Sequence, residues 1–201
     1  MRYPLAIAFT AFALSAVSPA AMAERILVSN DEWMFTDSSI NTADDVQFAK
    51  NTINWLTGGA TSGNVLILSG NFGLTGSGYH SILTGLGFTV TQATTAPGSL
   101  AGYAAVLLAG NAVDNTLLTN YVNGGGNVFI EGGTGNAGPA GEAAQWNTFL
   151  NTYGLGLNGS GYNGVGGIVD VSAFAGQSPY GPALFNGIKY IQHRNLLRQF
   201  C

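Results

Sequence analysis

The feature that most restricts how this chain can fold is a series of short runs that are apolar from end to end. Ile26-Leu27-Val28, Val65-Leu66-Ile67-Leu68, Ala104-Ala105-Val106-Leu107-Leu108 and Val128-Phe129-Ile130 each lack the alternation of a strand with one wet face. A strand of that kind must be covered on both sides, which is the situation of a parallel sheet between two layers of helices. The intervening segments supply the helices. Asp44 to Leu56 places Val46, Phe48, Ala49, Ile53 and Trp55-Leu56 at helical spacing, with two carboxylates at its start and Gly58-Gly59 at its end. Tyr79 to Leu86, Asp114 to Val122 and Glu142 to Tyr153 read the same way, the last with Ala143, Trp146, Phe149-Leu150 and Tyr153 on one face. Phe88 to Thr91 is β-branched and alternating, and Ile168 to Val171 reads as a late strand. The expected fold is therefore α/β: a doubly wound, mostly parallel sheet in a three-layer sandwich. Strands one to five should be parallel and central, with Val28, Leu66, Leu107 and Phe129 buried.

The N-terminus predicts export. Arg2 is followed by an apolar run from Leu5 to Val17, then by Ser18-Pro19-Ala20-Ala21-Met22-Ala23, a small-residue stretch ending in A-x-A. This is the pattern of a cleavable signal peptide over residues 1–23, and the run is too short for the roughly 20 residues of a membrane span. A single α/β domain over residues 24–201 follows, with no repeat and no dividing linker. Loss of Arg2 from the 6 basic residues leaves 5 against 10 acidic ones, a net charge of −5. So few cations give no footprint for nucleic acid or an anionic membrane, and no transmembrane helix is expected in the mature chain. The expected setting is secreted or periplasmic, with cell-surface or extracellular polysaccharide association. The one cysteine is Cys201, which rules out an internal disulfide and a thiol zinc site. His80 and His193 match no metal spacing, so no metal and no cofactor is expected.

In a sheet of this type ligands bind beyond the carboxyl ends of the strands. Three segments fall there: Ser29-Asn30-Asp31-Glu32-Trp33 with Asp37 close behind, Ser69-Gly70-Asn71-Phe72, and Glu131-Gly132-Gly133-Thr134-Gly135. The ligand-binding candidates are Asp31, Glu32, Asn71, Glu131 and Thr134. Carboxylates meeting at one edge could hold a divalent cation or act as acid and base. The structural alternative is that they are solvated or cap backbone N–H groups. Gly133 to Gly138 fits G-x-G-x-x-G, but it follows the fifth strand and no acid stands about 20 residues on to take a ribose. With 30 glycines in the chain such a match arises by chance, and Pro139 disturbs the helix start.

The stretch Tyr103 to Gly135, ending in "NGGGNVFIEGG", resembles the centre of a class I glutamine amidotransferase-like (flavodoxin-like) domain. In active members the turn after this strand bears a catalytic cysteine; here it is Glu131-Gly132-Gly133-Thr134. A C-terminal His-x-Glu is also missing, since His193 is followed by Arg194 and Asn195. The resemblance therefore implies a scaffold without catalytic residues. "VSNDEWMFTDSSINTADDVQFAKNTINWLTGG", "YVNGGGNVFIEGGTG" and "EAAQWNTFLNTYGLGLNG" more closely resemble domains of exported bacterial proteins that carry a Pro-Glu-Pro C-terminal sorting signal. No such motif closes this chain; "HRNLLRQFC" reads as a truncated or altered terminus. Two functions follow as expectations. The first is an exported non-catalytic binding or surface-associated module. The second is a secreted hydrolase or carbohydrate-active enzyme using loop carboxylates. Convergence of Asp31, Glu32 and Glu131 in one concave pocket would favour the enzyme, whereas wide separation, with a shallow Gly-lined surface, would favour the binding module.

Overall fold

The computed structural model describes residues 25–29, 31–70, 72–133, 137–161, 167–170, 184 and 190–193. The stretch read as a signal peptide (residues 1–23), Asn71 and Thr134 lie outside these residues. Five strands, β1 (Arg25–Ser29), β2 (Gly63–Ser69), β3 (Phe88–Ala93), β4 (Tyr103–Ala109) and β5 (Asn127–Glu131), form one sheet in the order β1-β5-β4-β2-β3. All four pairings are parallel. Helices cover both faces, so the doubly wound three-layer sandwich is the observed fold.

Strand pleating sorts the core into two layers. Leu27, Val65, Ile67, Leu107 and Phe129 point to one side, where they meet α1 (Ala43–Leu56), α2 (Phe72–Thr75) and α3 (Ser77–Gly85). Leu66, Leu68, Val106, Leu108, Val128 and Ile130 point to the other, against α4 (Asn115–Asn123) and α5 (Gly138–Leu150). The helix starts are set by side chains. Thr42 accepts from the Asp45 backbone N–H at 3.2 Å and donates to its carboxylate at 2.6 Å, a reciprocal cap at the head of α1. Asp114 caps α4 through the Thr116 N–H at 2.7 Å.

The structure corrects the sequence reading in four places. β1 and β3 are edge strands, and Val28 is only partly buried, because β1 has a neighbour on one side alone. Leu66, Leu107 and Phe129 are buried as expected. The last long helix begins at Gly138 rather than Glu142 and ends at Leu150, with a 3-10 turn over Asn151–Tyr153. Pro139 falls in its first turn, where its missing N–H has no partner to lose, so it starts the helix instead of disturbing it. Finally, the late strand is β6 (Gly167–Asp170), which pairs antiparallel with β7 (Tyr190–His193) in a separate two-stranded sheet.

Among the described residues no helix is long and apolar enough to cross a membrane.

Candidate functional site

The strand order places the carboxyl ends of β1 and β5 side by side. Ser29 lies opposite Glu131 in the ladder, and Gly132 N–H donates to the Ser29 carbonyl at 2.6 Å. Asp31 and Glu32, just beyond β1, therefore come to the same corner as Glu131 at the end of β5. All three are inside the protein: Glu131 is 0% exposed, Asp31 1% and Glu32 7%. Pleating points Glu131 to the α1–α3 side, in step with Phe129.

Asp31 belongs to a turn of its own making. Its Oδ1 accepts from Trp33 N–H at 2.9 Å, while its N–H donates to Ser29 Oγ at 3.2 Å. Glu131 has no such arrangement, and neither of its carboxyl oxygens has a hydrogen-bond partner. Burial pushes its carboxyl well above the usual range, and the neighbouring Asp31 and Glu32 charges push it the same way. Both effects favour the protonated form of Glu131.

Two residues that the sequence reading passed over complete this corner. Tyr79 of α3 is fully buried, its hydroxyl unpartnered. Burial raises its phenol, as does the Glu131 charge. Its ring stacks on Phe35 at 4.5 Å, and Phe35 meets Phe129 edge-on at 5.7 Å. In the sequence Tyr79 was only an apolar helix position. Gly73 of α2 lies directly on the cluster. A Cβ there would stand 2.3 Å from the Glu32 carbonyl oxygen and 2.5 Å from Glu131 Oε2. Only a residue with no side chain fits.

Two further acids, Asp37 and Glu142, tie backbone segments together. Asp37 reaches from the β1–α1 loop to the start of α3. It accepts from Gly78 N–H at 2.7 Å, and from Ser77 N–H and Oγ at 3.2 and 3.1 Å. The Gly78 hydrogen bond holds its carboxyl below the usual range. Glu142 of α5 is buried, and its Oε2 accepts from Gly133 N–H at 2.8 Å, closing the turn after β5. Among the described residues no three His, Cys, Asp or Glu side chains are placed to hold a metal ion. The order of the strands changes sense between β2 and β4, where such folds open a ligand crevice. Here Ser69 and Gly110 bridge that place.

A concave surface lies at the opposite end of the sheet. A cleft of about 350 Å³ opens at the amino ends of β4 and β5, lined by residues 98–103 and 124–126 with Leu117, Asn120 and Tyr121. No lining residue is charged. Tyr121 donates through its hydroxyl to the Tyr103 carbonyl at 2.9 Å, and its ring lies on Gly126, where a Cβ would come within 2.5 Å of it. The sequence reading looked to the carboxyl ends of the strands and did not anticipate this cleft; five of its residues are glycines, a signal visible in "NGGGN".

No family model, curated protein or solved structure matches the chain.

Proposed function

We propose that this chain is a non-catalytic binding module of an exported protein, carried on an amidotransferase-like scaffold. One observation carries the reading. The corner where the resemblance would put reactive groups holds three carboxyls that are almost wholly buried, and Glu131 itself is 0% exposed. A general acid or base must come within hydrogen-bond reach of its substrate. Groups packed beneath backbone cannot do so while the fold stays closed.

The cleft at the other end suits a ligand. Its volume of about 350 Å³ is at the lower end of small-molecule sites. An uncharged lining, exposed Asn120 and two half-buried tyrosines favour a neutral, hydroxyl-bearing ligand such as a segment of extracellular polysaccharide. The test is binding of the mature chain to a panel of neutral polysaccharides, alongside Gly98→Trp. Gly98 lines the cleft and has open space around its Cβ position, so the substitution adds an indole at the cleft without a clash at Cβ. Binding by the parent and loss in the variant, with unchanged thermal stability, is the expected result. Absence of binding to every neutral polysaccharide refutes the choice of ligand.

One observation favours a second reading, a hydrolase. Glu131 and Asp31 meet at one corner, and burial favours the protonated form of Glu131, as acid–base pairs require of their acid. Turnover of a glycoside or ester substrate, lost in Glu131→Gln, would replace the binding module with this enzyme.

A further inference from the structure

We propose that Tyr103, turned toward α4 by a β-bulge at Ala104, and Asn120 are the side chains that read the ligand in the cleft, and that with the carboxyl end of α4 beside them they select an uncharged sugar over its acidic counterpart. The inference rests on the reading of the cleft as a neutral-polysaccharide site, and adds which residues read the ligand and what they reject.

The bulge is the first observation. Asn64 of β2 lies opposite Tyr103, and the next residue, Val65, lies opposite Ala105, so β4 carries one extra residue, Ala104, at its start. Regular pleating would send Tyr103 to the side of Ala105 and Leu107, beneath α1 and α3. Tyr103 packs instead against the core of α4 and α5, and lines the cleft. Re-aiming a side chain is what bulges do, and they gather beside functional sites. Both carbonyls at the irregularity are held by side chains. Asn127 donates through Nδ2 to the Ala104 carbonyl at 3.0 Å, and the Tyr121 hydroxyl donates to the Tyr103 carbonyl at 2.9 Å. The bulge is thus fastened at two points, and Tyr121 and Asn127 are its positioning residues.

The second observation is which groups around the cleft are still free to bind. Ser99 Oγ accepts from the Ala101 N–H at 3.2 Å, and the Tyr121 hydroxyl is committed to Tyr103. The Asn120 carboxamide and the Tyr103 hydroxyl make no hydrogen bond among the described residues. Tyrosine supplies a broad, stiff contact surface at low entropic cost, and a carboxamide both donates to and accepts from a sugar hydroxyl. The N–H groups of Gly124, Gly125 and Gly126, which a glycine turn can aim at an anion, are spent on the carbonyls of Asn120, Tyr121 and Val122. The cleft therefore lies at the carbonyl end of α4, where the helix dipole is negative, and the last turn of α4 holds no basic residue to offset it. A hydroxyl that donates is welcome there, and a carboxylate is not.

Binding of the mature chain to dextran, pullulan and galactomannan tests the inference. Each polymer is also offered in carboxymethyl form and as the methyl ester of that form, a control of nearly the same size without the charge. The parent should bind a neutral polymer, and should hold its ester about two- to fivefold more tightly than its acid at low salt, the gap closing as salt rises. Tyr103→Phe keeps the ring and its packing, and should weaken binding about two- to tenfold, the worth of one hydrogen bond. Asn120→Lys sets a cation at the end of α4 and should reverse the preference between ester and acid. Both variants should keep the thermal midpoint of the parent. A parent that binds no neutral polymer overturns the polysaccharide reading, and the inference falls with it. A parent that binds but holds acid and ester alike, undiminished binding in Tyr103→Phe, or an unreversed preference in Asn120→Lys overturns the inference and leaves that reading standing.

Discussion

Trp146→Ala should bring the domain close to unfolding. Trp146 is 1% exposed and is among the largest fully buried side chains. It lies on α5 and shares a core with Phe149, Leu150, Val122, Val128 and Ile130, so it joins two helices to the sheet. An aromatic of this size removes about 150–250 Å² from water, which at about 25 cal/mol per Å² is roughly 4–6 kcal/mol. Alanine recovers part of that, and the cavity adds to the loss, so truncations of this kind cost about 3–5 kcal/mol. Domain stabilities are roughly 5–15 kcal/mol, and the loss is a large share of the total. Urea denaturation followed by far-ultraviolet circular dichroism measures it. With a slope of about 1–3 kcal/mol per molar, the midpoint should fall by about 1 M or more. A shift worth less than about 1 kcal/mol would show that α5 is not an anchor of the fold. Its burial also removes Trp146 as a stacking surface for sugars, which an exposed indole on this helix would have been.

Other expectations can be checked in the same preparations. Because the folded Glu131 binds its proton more tightly than the unfolded chain, unfolding free energy should fall by up to about 1.4 kcal/mol per pH unit from about pH 4.3 up to the folded midpoint, then level off. Glu131→Gln should lose this slope and be the more stable form at pH 8; a retained slope refutes the assignment. Gly73→Ala must push apart the Glu32 carbonyl and Glu131 Oε2, and overpacking of this kind costs about 1–3 kcal/mol in a denaturation midpoint. Gly126→Ala should lose a similar amount, about 1–3 kcal/mol, by driving the Tyr121 ring off its seat, whereas Gly98→Ala should be neutral. Glutamine should yield no ammonia, and Cys201→Ser should change nothing, whereas a glutaminase lost on that substitution would restore the amidotransferase reading.

The sandwich was legible because its strands are apolar throughout, and no local accident imitates that pattern. The place of a strand within the sheet was not legible. Ile26-Leu27-Val28 reads like a central strand, yet β1 is an edge, and its partial cover includes the Arg25 guanidinium lying over the Trp55 ring at 5.5 Å. α2 escaped notice because four residues are too few to show a period. The acidic corner was legible in outline, since ends of parallel strands gather. That it would be sealed was not, because the seal depends on Gly73, whose reason for being glycine lies 40 residues or more away in Glu32 and Glu131. Tyr79 was hidden in the same way: its hydroxyl counts only because of what the fold sets beside it.

The length of the β1–α1 loop gives the acidic corner its physical origin. α1 packs over β1 and β5, and its end returns to β1, where Arg25 lies under Trp55. A helix so close to its own strand needs only the usual two to six residues to be reached. The chain spends 13 between Ser29 and Ala43. The excess makes an excursion across the layer and back. It sets Phe35 between Tyr79 and Phe129, ties Asp37 to the start of α3, and on the way passes Asp31 and Glu32 over the end of β5. Flavodoxin-like sheets run 2-1-3-4-5, and this one has the same spatial order with β1 in the last seat, beside β5. Had β1 sat elsewhere, its acidic loop and Glu131 would not share a corner. Strand order brings the carboxyls together and loop length covers them. Connectors that need not be so long are where function concentrates. Shortening the excursion while keeping Thr42 as the cap of α1 would leave the sheet intact and uncover Glu131.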